Sequence, residues 1–129
     1  MILLDTHVLI WMTGTPEKLS AGARKAIIDA RSNSGVAVAC MTLWELAWLA
    51  QNRRVAYSGS IESFVRETTS RVVVEPLTPE ITALAAALPS NYPKDPSDRL
   101  IGATAIIEGI PLVTADERIR TSGLVECIW

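Results

Sequence analysis

The sequence predicts an α/β domain: five short strands in one mostly parallel sheet, with helices layered on both faces. Two observations carry this reading. Short apolar runs near residues 2–5, 36–40, 72–74, 111–114 and 125–129 alternate with longer segments of helical pattern. The runs are continuously apolar rather than alternating, as befits strands covered on both sides. Right-handed crossovers between parallel strands then bring every strand C-terminus to one edge of the sheet, where open α/β folds bind ligands.

The elements follow in order. Residues 1–5 form a strand that ends in Asp5, and residues 8–12 a helix of one or two turns. Gly14, Pro16 and Lys18 mark a loop. Ser20 caps a helix reaching Arg31, with Ala23, Ile27, Ile28 and Ala30 on its buried side. Residues 36–40 form the second strand, and Thr42 opens a helix to about Asn52. A further helix spans residues 60–69, and residues 72–74 form the third strand. Thr78 and Pro79 start a helix to Leu88. Asp95 and Pro96 start another, ended by Gly109. Its Gly102, Ala103 and Ala105 suit a close approach to a neighbour. Residues 111–114 form the fourth strand, a short helix spans residues 116–120, and residues 125–129 form the last strand.

Composition bounds the function. With 129 residues, 49% of them apolar, the chain suits one domain spanning residues 1–129. No apolar run is long enough to span a membrane, and no basic segment precedes the first apolar residues, so a cytoplasmic protein is expected. The two cysteines, Cys40 and Cys127, fall in apolar runs and are expected to be reduced. A single histidine leaves no basis for a histidine-rich zinc site. A net charge of −2 argues against binding nucleic acid through bulk electrostatics.

Four acidic residues fall where this topology puts ligands. Asp5 ends the first strand, Glu45 is expected in the first turn of the helix after the second, Asp98 lies in the first turn of the helix begun by Asp95, and Asp116 follows the fourth strand. Bland readings exist. Glu45 has capping-box spacing from Thr42, Asp98 complements a helix dipole, and Asp116 can cap the helix after it. Asp5 has no such local role. Two carboxylates ~5 Å apart repel by about 3 kcal/mol at an effective dielectric of about 20. Four at one edge therefore require a cation or protonation. An all-oxygen donor set favours Mg²⁺ or Mn²⁺. Such an ion activates water and steadies charge on a phosphoryl group, which points to phosphodiester hydrolysis.

Asp5-Thr6-His7-Val8-Leu9-Ile10-Trp11, Thr42-Leu43-Trp44-Glu45-Leu46, Asp95-Pro96-Ser97-Asp98-Arg99 with the small-residue stretch behind it, and Leu112-Val113-Thr114-Ala115-Asp116 together resemble the motifs of PIN-domain ribonucleases, especially VapC-type toxins of toxin–antitoxin pairs. The resemblance runs along essentially the whole chain. It implies a PIN-like three-layer α/β/α domain and a Mg²⁺- or Mn²⁺-dependent endoribonuclease, with Asp5, Glu45, Asp98 and Asp116 as catalytic metal ligands. Thr114 is implied as a supporting hydroxyl, and Asp95 as an accessory carboxylate at best. An antitoxin partner and a homodimer are implied as well. One departure is Pro93-Lys94, where many relatives carry His-Arg.

Lys94, Arg99, Arg118 and Arg120 fall near this edge, with Arg53 and Arg54 on its rim. Arg99, adjoining Asp98, is the best candidate for a substrate-phosphate contact or for an ion-pair partner of the acidic cluster. Trp44 and Trp48 share a face of their helix, either as core or as a groove for an antitoxin helix or second subunit. Two rival functions remain at this point: an acidic-site phosphohydrolase of similar architecture, and a PIN-like module that binds without cleaving.

Overall fold

A computed structural model describes residues 1–129. The elements are β1 (Ile2–Leu4), α1 (Thr6–Gly14), a 3-10 turn (Pro16–Lys18), α2 (Ala21–Ser32), β2 (Val36–Ala39), α3 (Cys40–Gln51), α4 (Ile61–Thr68), β3 (Val73–Glu75), α5 (Pro79–Ala87), α6 (Pro96–Glu108), β4 (Leu112–Val113), α7 (Glu117–Ser122) and β5 (Cys127–Ile128). The five strands make one sheet in the order β3-β2-β1-β4-β5, and every pair is parallel. β1 is central: Leu4 lies between Val38 and Val113. The chain steps from β1 to β2 on one side and later returns to β4 on the other. That reversal opens a crevice at the C-terminal ends of β1 and β4.

Alternation along the strands makes the three layers. Ile2, Leu4, Val36, Val38 and Val113 face one way and pack on Val8 and Leu9 of α1, Ala23 and Ile27 of α2 and Leu46 of α3. Leu3, Ala37, Ala39 and Leu112 face the other way, onto Tyr92, Ile101 and Ala105 of the α6 side and Ile119 of α7. A one-residue slip of any strand would swap these sets, so burial on both faces pins the register.

The helix starts follow capping rules. Ser20, Ser60 and Thr78 each accept a backbone N–H from three residues on. Asp95 caps α6 by accepting from the Ser97 N–H (3.0 Å), and Pro96 takes the first helical position. Gly109 ends α6 with φ of 66°, in the left-handed region. Gly102 is needed for a different reason. A Cβ there would overlap the Tyr92 hydroxyl. Tyr92 is almost fully buried and donates to the Asp98 carbonyl oxygen at 2.9 Å.

Four expectations need correction. The second strand ends at Ala39, and α3 starts at Cys40 rather than Thr42, because its cap is the backbone of Ala39. Glu45 therefore lies in the second turn, and no capping box forms with Thr42. Thr42 is fully buried, its hydroxyl 3.0 Å from that of Thr6. Ile28 points outward, 59% exposed. The Val72–Val74 run, expected as a covered strand, is the exposed edge strand β3, with Val73 and Val74 both solvent-facing.

Candidate active site

Asp5, Glu45, Asp98 and Asp116 line one cleft of about 390 Å³, together with His7, Trp11, Asp95 and Arg118. Each acid comes from a different element. Asp5 leaves the end of β1, Glu45 comes from α3, Asp98 from the first turn of α6, and Asp116 from the β4–α7 connection. The crevice at the β1–β4 reversal thus gathers all four acids at one edge.

Threonine hydroxyls wire two of these acids in place. Thr114, fully buried, donates to Asp5 Oδ2 at 2.7 Å across 109 residues of sequence, and its oxygen accepts the Asp116 N–H at 3.1 Å. Thr6 donates to Glu45 Oε1 at 2.6 Å. Asp5 Oδ1 also accepts the Thr6 N–H at 2.8 Å, so Asp5 is the N-cap of α1. That local role was not expected. It leaves Asp5 ligating capacity, because each carboxylate oxygen offers a second lone pair.

Thr6 and Thr42 are the site residues that sequence reasoning missed. Thr6 was legible only as the residue after Asp5, and Thr42 only as a supposed cap. Their roles depend on α1 crossing α3.

The electrostatics differ from acid to acid. Burial raises the pKa of Asp5, against the lowering effect of the Thr114 and Thr6 hydrogen bonds. Burial also raises Glu45, against its bond from Thr6. Asp98 is pushed up to about 7, by burial first and then by the charges of Asp5, Asp95, Glu45 and Asp116. Asp116 is the exception. Arg118 donates to both of its oxygens, at 3.3 and 3.0 Å, and holds its pKa low.

Two expected substrate contacts fare differently. Arg99, the expected phosphate contact, is turned away from the cleft and does not line it. Its guanidinium donates to the carbonyls of Ala85 (3.1 Å) and Leu88 (2.7 Å), tying α6 to the C-terminal end of α5. Those carbonyls have no helical partners, so an arginine one residue after Asp98 satisfies them instead. Lys94 is exposed beside Asp95, without an ion pair and outside the cleft lining.

The donor set suits a hard cation that keeps much of its water. No three acidic, histidine or cysteine side chains form a ready-made cage. The carboxylates instead line an open cleft with room for several waters, and among the cleft's acids only Asp116 has an ion-pair partner. Mg²⁺ is commonly held in this way, through one or two carboxylates plus substrate phosphate.

Comparison with known proteins agrees with this geometry. The PIN domain family pattern matches residues 2–122. The chain is 42% identical over 120 residues to Ribonuclease VapC22 of Mycobacterium tuberculosis, covering 93% of this chain and 90% of that protein. Its fold superposes on VapBC2 from Rickettsia felis, solved bound to a DNA fragment from their promoter. The TM-score is 0.74 at 17% identity, over 98% of this chain and 97% of that one. It also superposes on DNA-bound VapBC from Salmonella typhimurium, with a TM-score of 0.68 at 19% identity, over 98% and 97% of the two chains. The structural likenesses carry the fold and the sequence matches carry the kinship: this chain belongs to the PIN-domain family.

Proposed function

We propose that this chain is a divalent-metal-dependent endoribonuclease and the toxin of a type II toxin–antitoxin pair. The observation that carries the reading is the cleft in which Asp5, Glu45, Asp98 and Asp116 meet from four elements with a single arginine among them. The kinship to Ribonuclease VapC22 supports RNA as the substrate. The VapBC complexes among the structural relatives support an antitoxin partner.

The four carboxylates would hold one or two Mg²⁺ or Mn²⁺ ions. A bound ion supplies an activated water and steadies charge on the phosphoryl oxygens. The residues of the chain set the stage for that chemistry. Thr114 fixes the Asp5 carboxylate and the Asp116 backbone through one hydroxyl. Thr6 fixes Glu45. Tyr92 and Gly102 hold the first turn of α6, and with it Asp98, at a set height. Arg118, now on Asp116 and 71% exposed, is free to shift onto a substrate phosphate, a role that Arg99 is not positioned to take.

The exposed face of α3 is the proposed docking surface for the antitoxin or a second copy. Trp44 and Trp48 are 58% and 43% exposed, beside a groove lined by Leu43, Ala47, Ile61 and Val65. No helix of the chain is long and apolar enough to cross a membrane, and a cytoplasmic location fits an RNA target.

The direct test is incubation of partner-free protein with total RNA and Mg²⁺, with and without a chelator. Cleavage that the chelator abolishes is the expected result. No cleavage and no Mn²⁺ binding at these carboxylates would leave the chain a PIN-like binding module.

A further inference from the structure

A second groove, of about 570 Å³, adjoins the acidic cleft. The two share a wall made of His7 and Trp11, which face it from successive turns of α1. The groove also carries Lys18, from the 3-10 turn, and Arg54, beyond the end of α3. It contains no carboxylate, and neither cation is in an ion pair. In the cleft next door the one cation, Arg118, is paired with Asp116. One side of the His7–Trp11 wall gathers carboxylates, and the other gathers positive charge on a protein of net charge −2.

The aromatic wall is held in place. The Trp11 ring centre lies 6.2 Å from that of His7 and 5.9 Å from that of Trp129, both tilted against it. Trp11 is half-buried and His7 is exposed, so both keep surface open to a ligand. The position of Arg54 is also set by the backbone. Arg53 turns the chain with φ of 56°, and the Arg54 N–H returns to the Leu49 carbonyl at 2.8 Å.

We propose that this groove binds the nucleotide adjoining the scissile phosphate of a single-stranded RNA. Its base lies against Trp11 and His7, and its phosphate lies at Lys18 and Arg54. This rests on the ribonuclease reading of the neighbouring cleft. Base–aromatic stacking tolerates any base, so the subsite requires an unpaired strand rather than a particular sequence. Duplex RNA, with its bases stacked inside, cannot present one to the wall.

The test is a titration of metal-free protein, with chelator present so that no cleavage occurs, with a fluorescently labelled RNA hexanucleotide. Lys18→Ala/Arg54→Ala is expected to weaken binding about tenfold and to lower the slope of log affinity against log salt by about 0.7, the share of one single-strand phosphate. Trp11→Leu is expected to weaken binding by a further order of magnitude, about one stacked base. If it does not fold, the exposed cation pair still decides the question. In steady-state cleavage the cation variant should lose in KM rather than in kcat. Lys25→Ala removes a positive charge from an exposed pair on α2 and should bind like the parent.

Equal loss in the Lys25 variant would reduce the effect to bulk charge and overturn the proposal. So would a cation variant that binds the oligonucleotide normally, and so would one that loses only a co-expressed protein partner. Absence of RNA cleavage by the parent protein would instead sink the ribonuclease reading. The titration reports on the groove in either case.

Discussion

The two walls of the acidic cleft hold their charges in different ways. On the β1–α3 wall, Asp5 and Glu45 each accept a threonine hydroxyl, from Thr114 and Thr6. On the α6 wall, Asp98 has no such donor. It is half-buried and faces four other carboxylates, and its pKa rises to about 7. Asp116, across the mouth, is relieved by Arg118. The difference teaches where the cleft stores its electrostatic stress. Hydroxyls and an arginine offset part of the cost of charge on three of the acids, while Asp98 has neither and is raised by burial and by its acidic neighbours.

The comparison can be broken most sharply at Asp98. Asp98→Asn should lower RNA cleavage at saturating Mg²⁺ by about a hundredfold or more, beyond what loss of an outer-sphere partner costs. The same variant should unfold at higher urea concentration than the parent at pH 8 without metal. A parent-like cleavage rate, or a less stable variant, would remove Asp98 from its proposed role.

Next in size is the contact that sets the height of the α6 wall. Gly102→Ala places a methyl group on the Tyr92 hydroxyl and should cost about 1–3 kcal/mol in urea unfolding, the usual penalty of overpacking. Adding Tyr92→Phe should recover part of that loss, because it removes the obstructing oxygen. Strict additivity of the two changes would show that they do not share one contact.

On the opposite wall, Thr114→Val keeps the shape but deletes the donor to Asp5. Cleavage should fall about tenfold, and more Mg²⁺ should be needed for half-maximal rate. An unchanged metal requirement would reduce Thr114 to a packing residue.

The last expected effect is in pH dependence. The folded-state pKa of Asp98, about 7, exceeds its ordinary value of 3.8. The folded chain therefore binds this proton more tightly than the unfolded one does. Its contribution favours folding below pH 4 and is lost as pH rises through 7. Metal-free unfolding free energy should carry this downward component between pH 4 and 7, and Asp98→Asn should lack it. A saturating divalent ion should reverse it, since the ion favours the ionised form. Identical pH profiles for variant and parent would show that Asp98 does not titrate in this range.

The fold was readable because each of its determinants is local. Continuous apolar runs such as Val36–Ala39 announce strands covered on both faces, and Asp95-Pro96 with Gly109 announces both ends of α6. Asp5, Glu45, Asp98 and Asp116 could be proposed together because parallel topology puts every strand C-terminus at one edge. Boundaries were less legible. Thr42 has the chemistry of a cap, yet burial against Thr6 takes its hydroxyl, and the Ala39 backbone begins α3 instead. Ile28 looks inward by composition alone, whereas the pitch of α2 turns it out.

By itself the sequence determined the alternation of elements, the all-oxygen character of the site and the small residues that let α6 lie close, since these follow from residue type and spacing. Only the tertiary structure decided how those residues were used. It turned Arg99 onto the end of α5, joined Thr114 to Asp5 and Thr6 to Glu45, and left Asp98 without a donor. It also separated the positive groove from the acidic cleft by one aromatic wall. The reason is geometric. The orientation of a side chain depends on which other elements cross it, and those crossings lie tens of residues away along the chain.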